Sequence, residues 1–164
     1  MKTIGLLGGM SWESSIVYER IINETVRSRL GGMHSADLLV RSYDFARIAA
    51  LQADGQWEEA GSILAADAVT LERAGAAAIV LCTNTMHVVA DTVASAVDVP
   101  LLHIADATAR AAHQAGAGTV GLLGTRFTME EPFYRERLEK KHGQHVLVPS
   151  ATSRDAVHTI IYEE

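Results

Sequence analysis

Cysteine is nearly absent from this chain: Cys82 is the single one in 164 residues. One thiol excludes an internal disulfide and fits a reducing cytoplasm. Lysine is scarce as well, confined to Lys2, Lys140 and Lys141. Lys2 begins a predicted strand, and the other two end a predicted surface helix. None falls at a strand's carboxyl edge, where a lysine could hold pyridoxal phosphate as a Schiff base. No cofactor is therefore expected. Positive charge is not in excess: 14 Lys+Arg against 20 Asp+Glu give a net charge of −6. No basic stripe points to nucleic acid, and acidity of this size mainly favours solubility. No apolar run approaches the length of a membrane span. No segment is low in complexity, and the N-terminus enters a strand pattern at once, without a signal peptide.

Short apolar runs alternate with helical patterns along the whole chain. Strands are predicted at 3–7, 38–40, 101–104, 119–123 and 146–148, with a central one beginning near Ala76. Helices are predicted after Ser11 (with Ser14 or Ser15 as alternative caps) up to Gly31-Gly32, then over 57–73, to about 97, over 106–115 and over 129–141. A last helix is capped by Ser153, and 44–55 is a loop or short helix. Such alternation predicts an α/β fold of parallel sheets flanked by helices, joined by right-handed crossovers. The likeliest division lies just before Pro100, with one lobe over 1–98 and a second over 99–164.

The stretch 76–87 organises the rest. Its first half, Ala76-Ala77-Ala78-Ile79-Val80-Leu81, reads as a strand covered on both faces. Its second half, Cys82-Thr83-Asn84-Thr85-Met86-His87, gathers a thiol, two hydroxyls, an amide and an imidazole. These fall at the strand's carboxyl end, where open α/β sheets bind ligands. The following helical pattern makes Thr83 to Thr85 a helix start, whose free N–H groups favour a carboxylate. The plainer alternative is a capping turn, with Asn84 or Thr85 as N-cap and Cys82 as a small buried residue.

Ile4-Gly5-Leu6-Leu7-Gly8 reappears as Val120-Gly121-Leu122-Leu123-Gly124. Each copy leads through a hydroxyl-bearing loop into a helix, the pattern of a duplicated lobe. A repeat offset of about 116 residues puts the counterpart of Thr83 near position ~199. The second lobe is accordingly expected to be incomplete in this chain, and the 164-residue sequence to be truncated.

Three signatures resemble the aspartate/glutamate racemase family: Gly8-Gly9-Met10-Ser11-Trp12-Glu13-Ser14, Cys82-Thr83-Asn84-Thr85-Met86-His87, and Gly124-Thr125 with Thr128-Met129. They occur in the family's order over nearly the whole chain. The resemblance implies two pseudo-symmetric lobes with a site in the cleft between them. It implies cofactor-independent racemisation of aspartate or glutamate by two opposed acid/base residues, commonly two cysteines. The common first-lobe motif is Cys-Asn-Thr. Aligning it with Asn84-Thr85 puts Thr83, not Cys82, at the catalytic position, as in a branch of the family with threonine there. The second lobe's cysteine would lie beyond Glu164, which puts the activity of this polypeptide in question. By the same resemblance Met10, Ser11 and Gln52 line the first-lobe side, Asn84 and Thr85 bind substrate, and Thr125 faces from the second lobe.

Other polar residues have plainer roles to weigh. Arg47 suits a side-chain carboxylate or is a solvated loop arginine. His87 could polarise the site or be a core histidine. Trp12 and Trp57 read as packing residues. His142 and His145 flank a turn glycine with no third ligand nearby, so no metal is expected. The expected partner is a small amino acid in a cytoplasmic, non-membrane setting, with a homodimer as a further option. Competing readings are a nucleotide-binding module, a catalytically impaired ligand-binding relative, and a racemase or lyase acting on another substrate such as a hydantoin. The glycine spacing after the first strand is not G-x-G-x-x-G, which disfavours the nucleotide module.

Overall fold

A computed structural model describes residues 1–163. The chain forms two compact units. One comprises Met1–Thr83 and Val89–Leu102; the other comprises Asn84–Val88 and His103–Glu164.

In the first unit β1 (Ile4–Gly8) is the middle strand of a parallel sheet, between β2 (Leu38–Ser42) and β3 (Ile79–Leu81). Leu6 pairs with Val40 on one side and with Val80 on the other. Four helices belong to this unit: α1 (Trp12–Leu30), α2 (Phe45–Ala53), α3 (Trp57–Arg73) and α4 (Ala90–Ser95). Leu6, Leu7, Ile48, Leu64, Ile79, Leu81 and Val93 are almost completely buried. Each such side chain contributes about 1.5–3 kcal/mol on leaving water. The 57–73 helix forms as the sequence predicts. Ala74 is its C-cap and Gly75 follows at φ 104°, which glycine adopts without a Cβ penalty. The segment 44–55 resolves as α2, capped by the Asp44 carboxylate, which accepts the Ala46 N–H at 3.1 Å.

In the second unit β4 (Thr119–Gly121) and β5 (His145–Leu147) form a two-stranded parallel sheet. Around it lie α5 (Ile104–Gln114), α6 (Arg126–Glu130), α7 (Pro132–Glu136) and α8 (Ala151–Glu163). Ala105, Ala109, Leu122, Tyr134, Leu138 and Val146 make its core. The two Gly-Leu-Leu-Gly strands thus lie in different sheets, each beside a parallel neighbour.

Several predicted boundaries shift. No strand forms over 101–104: Leu101 makes an isolated parallel bridge to Ile79, and His103 becomes the N-cap of α5. The predicted helix over 129–141 divides into α6, α7 and a π-helical turn, Arg137–Lys141. The cause is Pro132, which lacks an N–H and occupies the first position of α7. The last helix begins before Ser153, with the Ser150 hydroxyl accepting the Ser153 N–H at 3.4 Å. The helix predicted to reach about residue 97 is a 3₁₀ turn, Thr85–Val89, followed by the short α4. Trp12 is not a packing residue: it is 59% exposed at the start of α1.

Candidate functional site

The first unit holds Met10, Ser11, Arg47, Gln52 and Thr83 of the predicted residues, and Met10, Ser11 and Thr83 lie in the loops that follow β1 and β3 at the carboxyl edge of the sheet. The chain leaves β1 at Gly8 and turns through Gly9 at φ 81°; a Cβ there would collide with the Tyr43 backbone. Met10 and Ser11 follow, joined by a cis peptide bond. Met10 is buried and Ser11 half-buried. Ser11 is the N-cap of α1, but its side chain makes no capping hydrogen bond. Two serines further on hold the loop instead. Ser15 Oγ accepts the Gly9 N–H at 2.7 Å and donates to the Ser11 carbonyl at 3.2 Å. Ser14 Oγ lies 3.0 Å from the same carbonyl and donates to the Cys82 carbonyl at 2.7 Å. That bond ties the glycine loop to the residue preceding Thr83. Thr83 and Gln52 are both buried. Arg47 lies exposed on α2.

Cys82 is fully buried, one residue past β3. Burial pushes its thiol up to about 12, with the Glu19 carboxylate adding to the effect. At neutral pH it is protonated and therefore a poor base or nucleophile.

The second unit holds the other predicted residues. Asn84 is exposed, and its carbonyl accepts the His87 N–H at 3.0 Å, opening the 3₁₀ turn. Thr85 is buried and its hydroxyl meets that of Thr125 at 2.9 Å. Thr125 Oγ1 lies 3.2 Å from Thr128 Oγ1 and accepts the Thr128 N–H at 3.3 Å. Three threonine hydroxyls therefore form a chain at the start of α6. His87 is buried, and its Nε2 accepts the Ile104 N–H at 3.2 Å. That geometry leaves the ring proton on Nδ1. His103 Nδ1 accepts the next N–H, from Ala105, also at 3.2 Å. The two rings meet edge-on, with centroids 4.5 Å apart. Two imidazoles thus satisfy the first free N–H groups of α5, work usually done by Ser, Thr, Asp or Asn.

Nearby, the Asp106 carboxylate accepts two bonds from Arg137 (2.7 and 2.9 Å) and one from Lys141 (2.8 Å). His142 Nε2 lies 2.8 Å from it. These partners, Arg137 foremost, hold the carboxyl well below the usual carboxylate range. His103 is held down to about 3, first by burial and then by the neighbouring His87 and Arg137.

A pH dependence follows. An unfolded histidine takes up a proton near pH 6.5, whereas His103 in the fold does not until about pH 3. Between those values the unfolded chain binds more protons, so stability falls as pH falls, by up to about 1.4 kcal/mol per pH unit for one group. Asp106 adds a further loss as pH drops below the ordinary carboxylate range. Urea denaturation followed by circular dichroism between pH 7 and 4 should show a falling midpoint, and His103→Gln should flatten that decline. An unchanged slope in the variant would remove His103 as its source.

Sequence reasoning assigned no site role to Ser14, Ser15, Thr128 or His103. The two serines stood out as alternative caps, and Ser14 and Thr128 as members of the family signatures. His87 and His103 are far apart in sequence, and nothing local announces that they share one helix end.

Comparison with known proteins gives one consistent result. Residues 7–164 match the Asp/Glu/hydantoin racemase family. A crystal structure of a candidate Asp/Glu racemase from Yersinia pestis is 55% identical, with a TM-score of 0.93. An aspartate racemase homologue from Pyrococcus horikoshii OT3 is 36% identical, with a TM-score of 0.84. Each alignment covers 100% of this chain and 71% of the other. The aspartate racemase of Picrophilus torridus shares the fold, at 20% identity and a TM-score of 0.76, over 99% of this chain and 67% of the other.

Proposed function

This chain belongs to the Asp/Glu/hydantoin racemase family, and we propose that it inverts the α-carbon of aspartate or glutamate without a cofactor. The reaction removes the α-proton from one face and returns a proton to the other. Thr83 is the acid/base group on one face. The observation that carries this assignment is the placement of Thr83: buried, at the carboxyl end of β3, behind a Cys82 carbonyl that Ser14 anchors to the glycine loop.

A threonine hydroxyl is weakly acidic, so Thr83 serves best as the donor that returns the proton. Abstraction from the opposite face falls to a group of lower pKa, a thiolate by the family resemblance. Cys82 does not qualify, since burial keeps it protonated. Negative charge developing on the substrate carboxylate is stabilised by hydrogen bonds. Asn84, Thr85 and Ser11 supply donors for it, with Met10, Gln52 and Thr125 completing the substrate contacts. Arg47, exposed on α2, is the candidate for the side-chain carboxylate.

Chiral chromatography tests the substrate class. L- and D-aspartate, L- and D-glutamate, a neutral amino acid and a 5-substituted hydantoin are each incubated, without pyridoxal phosphate, with the 164 residues and with a version extended to the length of the structural relatives. Because Cys82 is the single cysteine of the 164 residues, the expected result is weak or no conversion by them and conversion of an acidic pair above the neutral control by the extended version. Conversion of the hydantoin alone would overturn the acidic assignment.

A further inference from the structure

The parallel ladder between β1 and β3 advances two residues at a time. The Gly5 N–H bonds to the Ala78 carbonyl, and the Leu7 carbonyl accepts the Cys82 N–H, both at 2.9 Å. One further step would join the Gly9 N–H to the Cys82 carbonyl. Two neighbouring serines of α1 replace that rung instead. Ser15 Oγ accepts the Gly9 N–H at 2.7 Å, and Ser14 Oγ donates to the Cys82 carbonyl at 2.7 Å. The strands part there, because Gly9 turns away at φ 81°.

The Ser14 hydroxyl has one proton and two carbonyls in reach. A serine inside a helix ordinarily donates back to the preceding turn. That carbonyl, of Ser11, lies 3.0 Å away and already receives the Ser15 hydroxyl at 3.2 Å. The Cys82 carbonyl is nearer and takes the Ser14 proton. The Cys82–Thr83 peptide is trans and planar, so this carbonyl, the Thr83 N–H and the Thr83 Cα share one plane. Holding the carbonyl therefore fixes the direction from which the Thr83 side chain leaves the backbone. We propose that Ser14 is a positioning residue, aiming the Thr83 hydroxyl at the α-carbon through the Cys82 carbonyl; this role rests on Thr83 as the acid/base group.

Kinetics of Ser14→Ala, Thr83→Ala, the double variant and Ser14→Thr test this, all in the version extended to the length of the structural relatives. With an unchanged far-ultraviolet circular dichroism spectrum, Ser14→Ala should lower kcat by about tenfold and move KM less than about twofold, as misplacement of a reacting group does. Ser14→Thr keeps the donor and should recover much of the rate. The double variant should be no slower than Thr83→Ala, since Ser14 acts only through Thr83. Isotope exchange in D₂O separates this role from a general loosening. In Ser14→Ala, the enantiomer whose α-hydrogen faces the opposite group is still deprotonated, while proton return through Thr83 is slow. That group exchanges its proton with solvent and gives a deuteron back to the same face, so this enantiomer is recovered deuterated. Its mirror image, which Thr83 must deprotonate, is not. A full-speed Ser14→Ala beside a slowed Thr83→Ala would overturn the role of Ser14 alone. So would a Ser14→Thr as slow as Ser14→Ala, a double variant about tenfold slower than Thr83→Ala, or equal exchange in the two enantiomers. A Thr83→Ala as fast as the wild type would overturn the Thr83 assignment, and the role of Ser14 with it.

Discussion

Replacing Thr83 by Ala should reduce turnover of the acidic amino acid by about 100-fold or more, the usual contribution of a positioned acid or base. The loss should fall on kcat, because in the proposed mechanism the hydroxyl acts on the α-proton and the variant leaves the proposed carboxylate contacts in place. Fold stability should change little more than for an ordinary buried hydroxyl, about 1–2 kcal/mol. Thr83→Ser keeps a hydroxyl at the same position and should recover much of the rate. Initial rates by chiral chromatography for the wild type and both variants, all in the version extended to the length of the structural relatives, give the measurement. A Thr83→Ala protein as active as the wild type would remove Thr83 from the reaction.

The second large effect concerns Cys82. An ordinary thiol near pKa 8.5 is several per cent thiolate at pH 7.5. With its thiol pushed up to about 12, Cys82 holds at least about a thousandfold less thiolate. It is also fully buried, so a reagent reaches it only through opening of the fold. Iodoacetamide labelling followed by mass spectrometry should be slower than in urea-unfolded protein by at least about that factor. Addition of aspartate or glutamate should make no difference to the folded rate. Rapid labelling that substrate prevents would return Cys82 to the site and shift the catalytic position one residue back.

How much of this was legible in the sequence differs by element. The 57–73 helix could be read directly, because apolar spacing, the glycine stop and tertiary burial agree there. The strand at 38–40 was visible as an apolar core, but its extension to Ser42 rests on pairing with Gly8, a non-local fact. Residues 101–104 look like a strand and are not one, since Leu101 finds a partner in Ile79 while His103 and His87 take up the first N–H groups of α5. Pro132 announced a break that an otherwise helical pattern concealed. At the site, the hydroxyl-rich motif after β3 and the glycine loop after β1 could be found from residue types alone. The Ser14 bond joining them, and the threonine chain through Thr85, Thr125 and Thr128, depend on distances across the chain that no local pattern encodes.

The central claim is proton removal on one face and return on the other by two separate groups. Deuterium labelling tests it most directly. L-aspartate and L-glutamate are each incubated in D₂O, without pyridoxal phosphate, with the version extended to the length of the structural relatives, and the reaction is stopped at a few per cent conversion. The two enantiomers are then separated and their α-positions read by mass spectrometry. Two groups predict deuterium in the product enantiomer, while the recovered starting enantiomer keeps its α-hydrogen. Equal deuterium in both enantiomers would mean a single exchanging base, and would contradict the account.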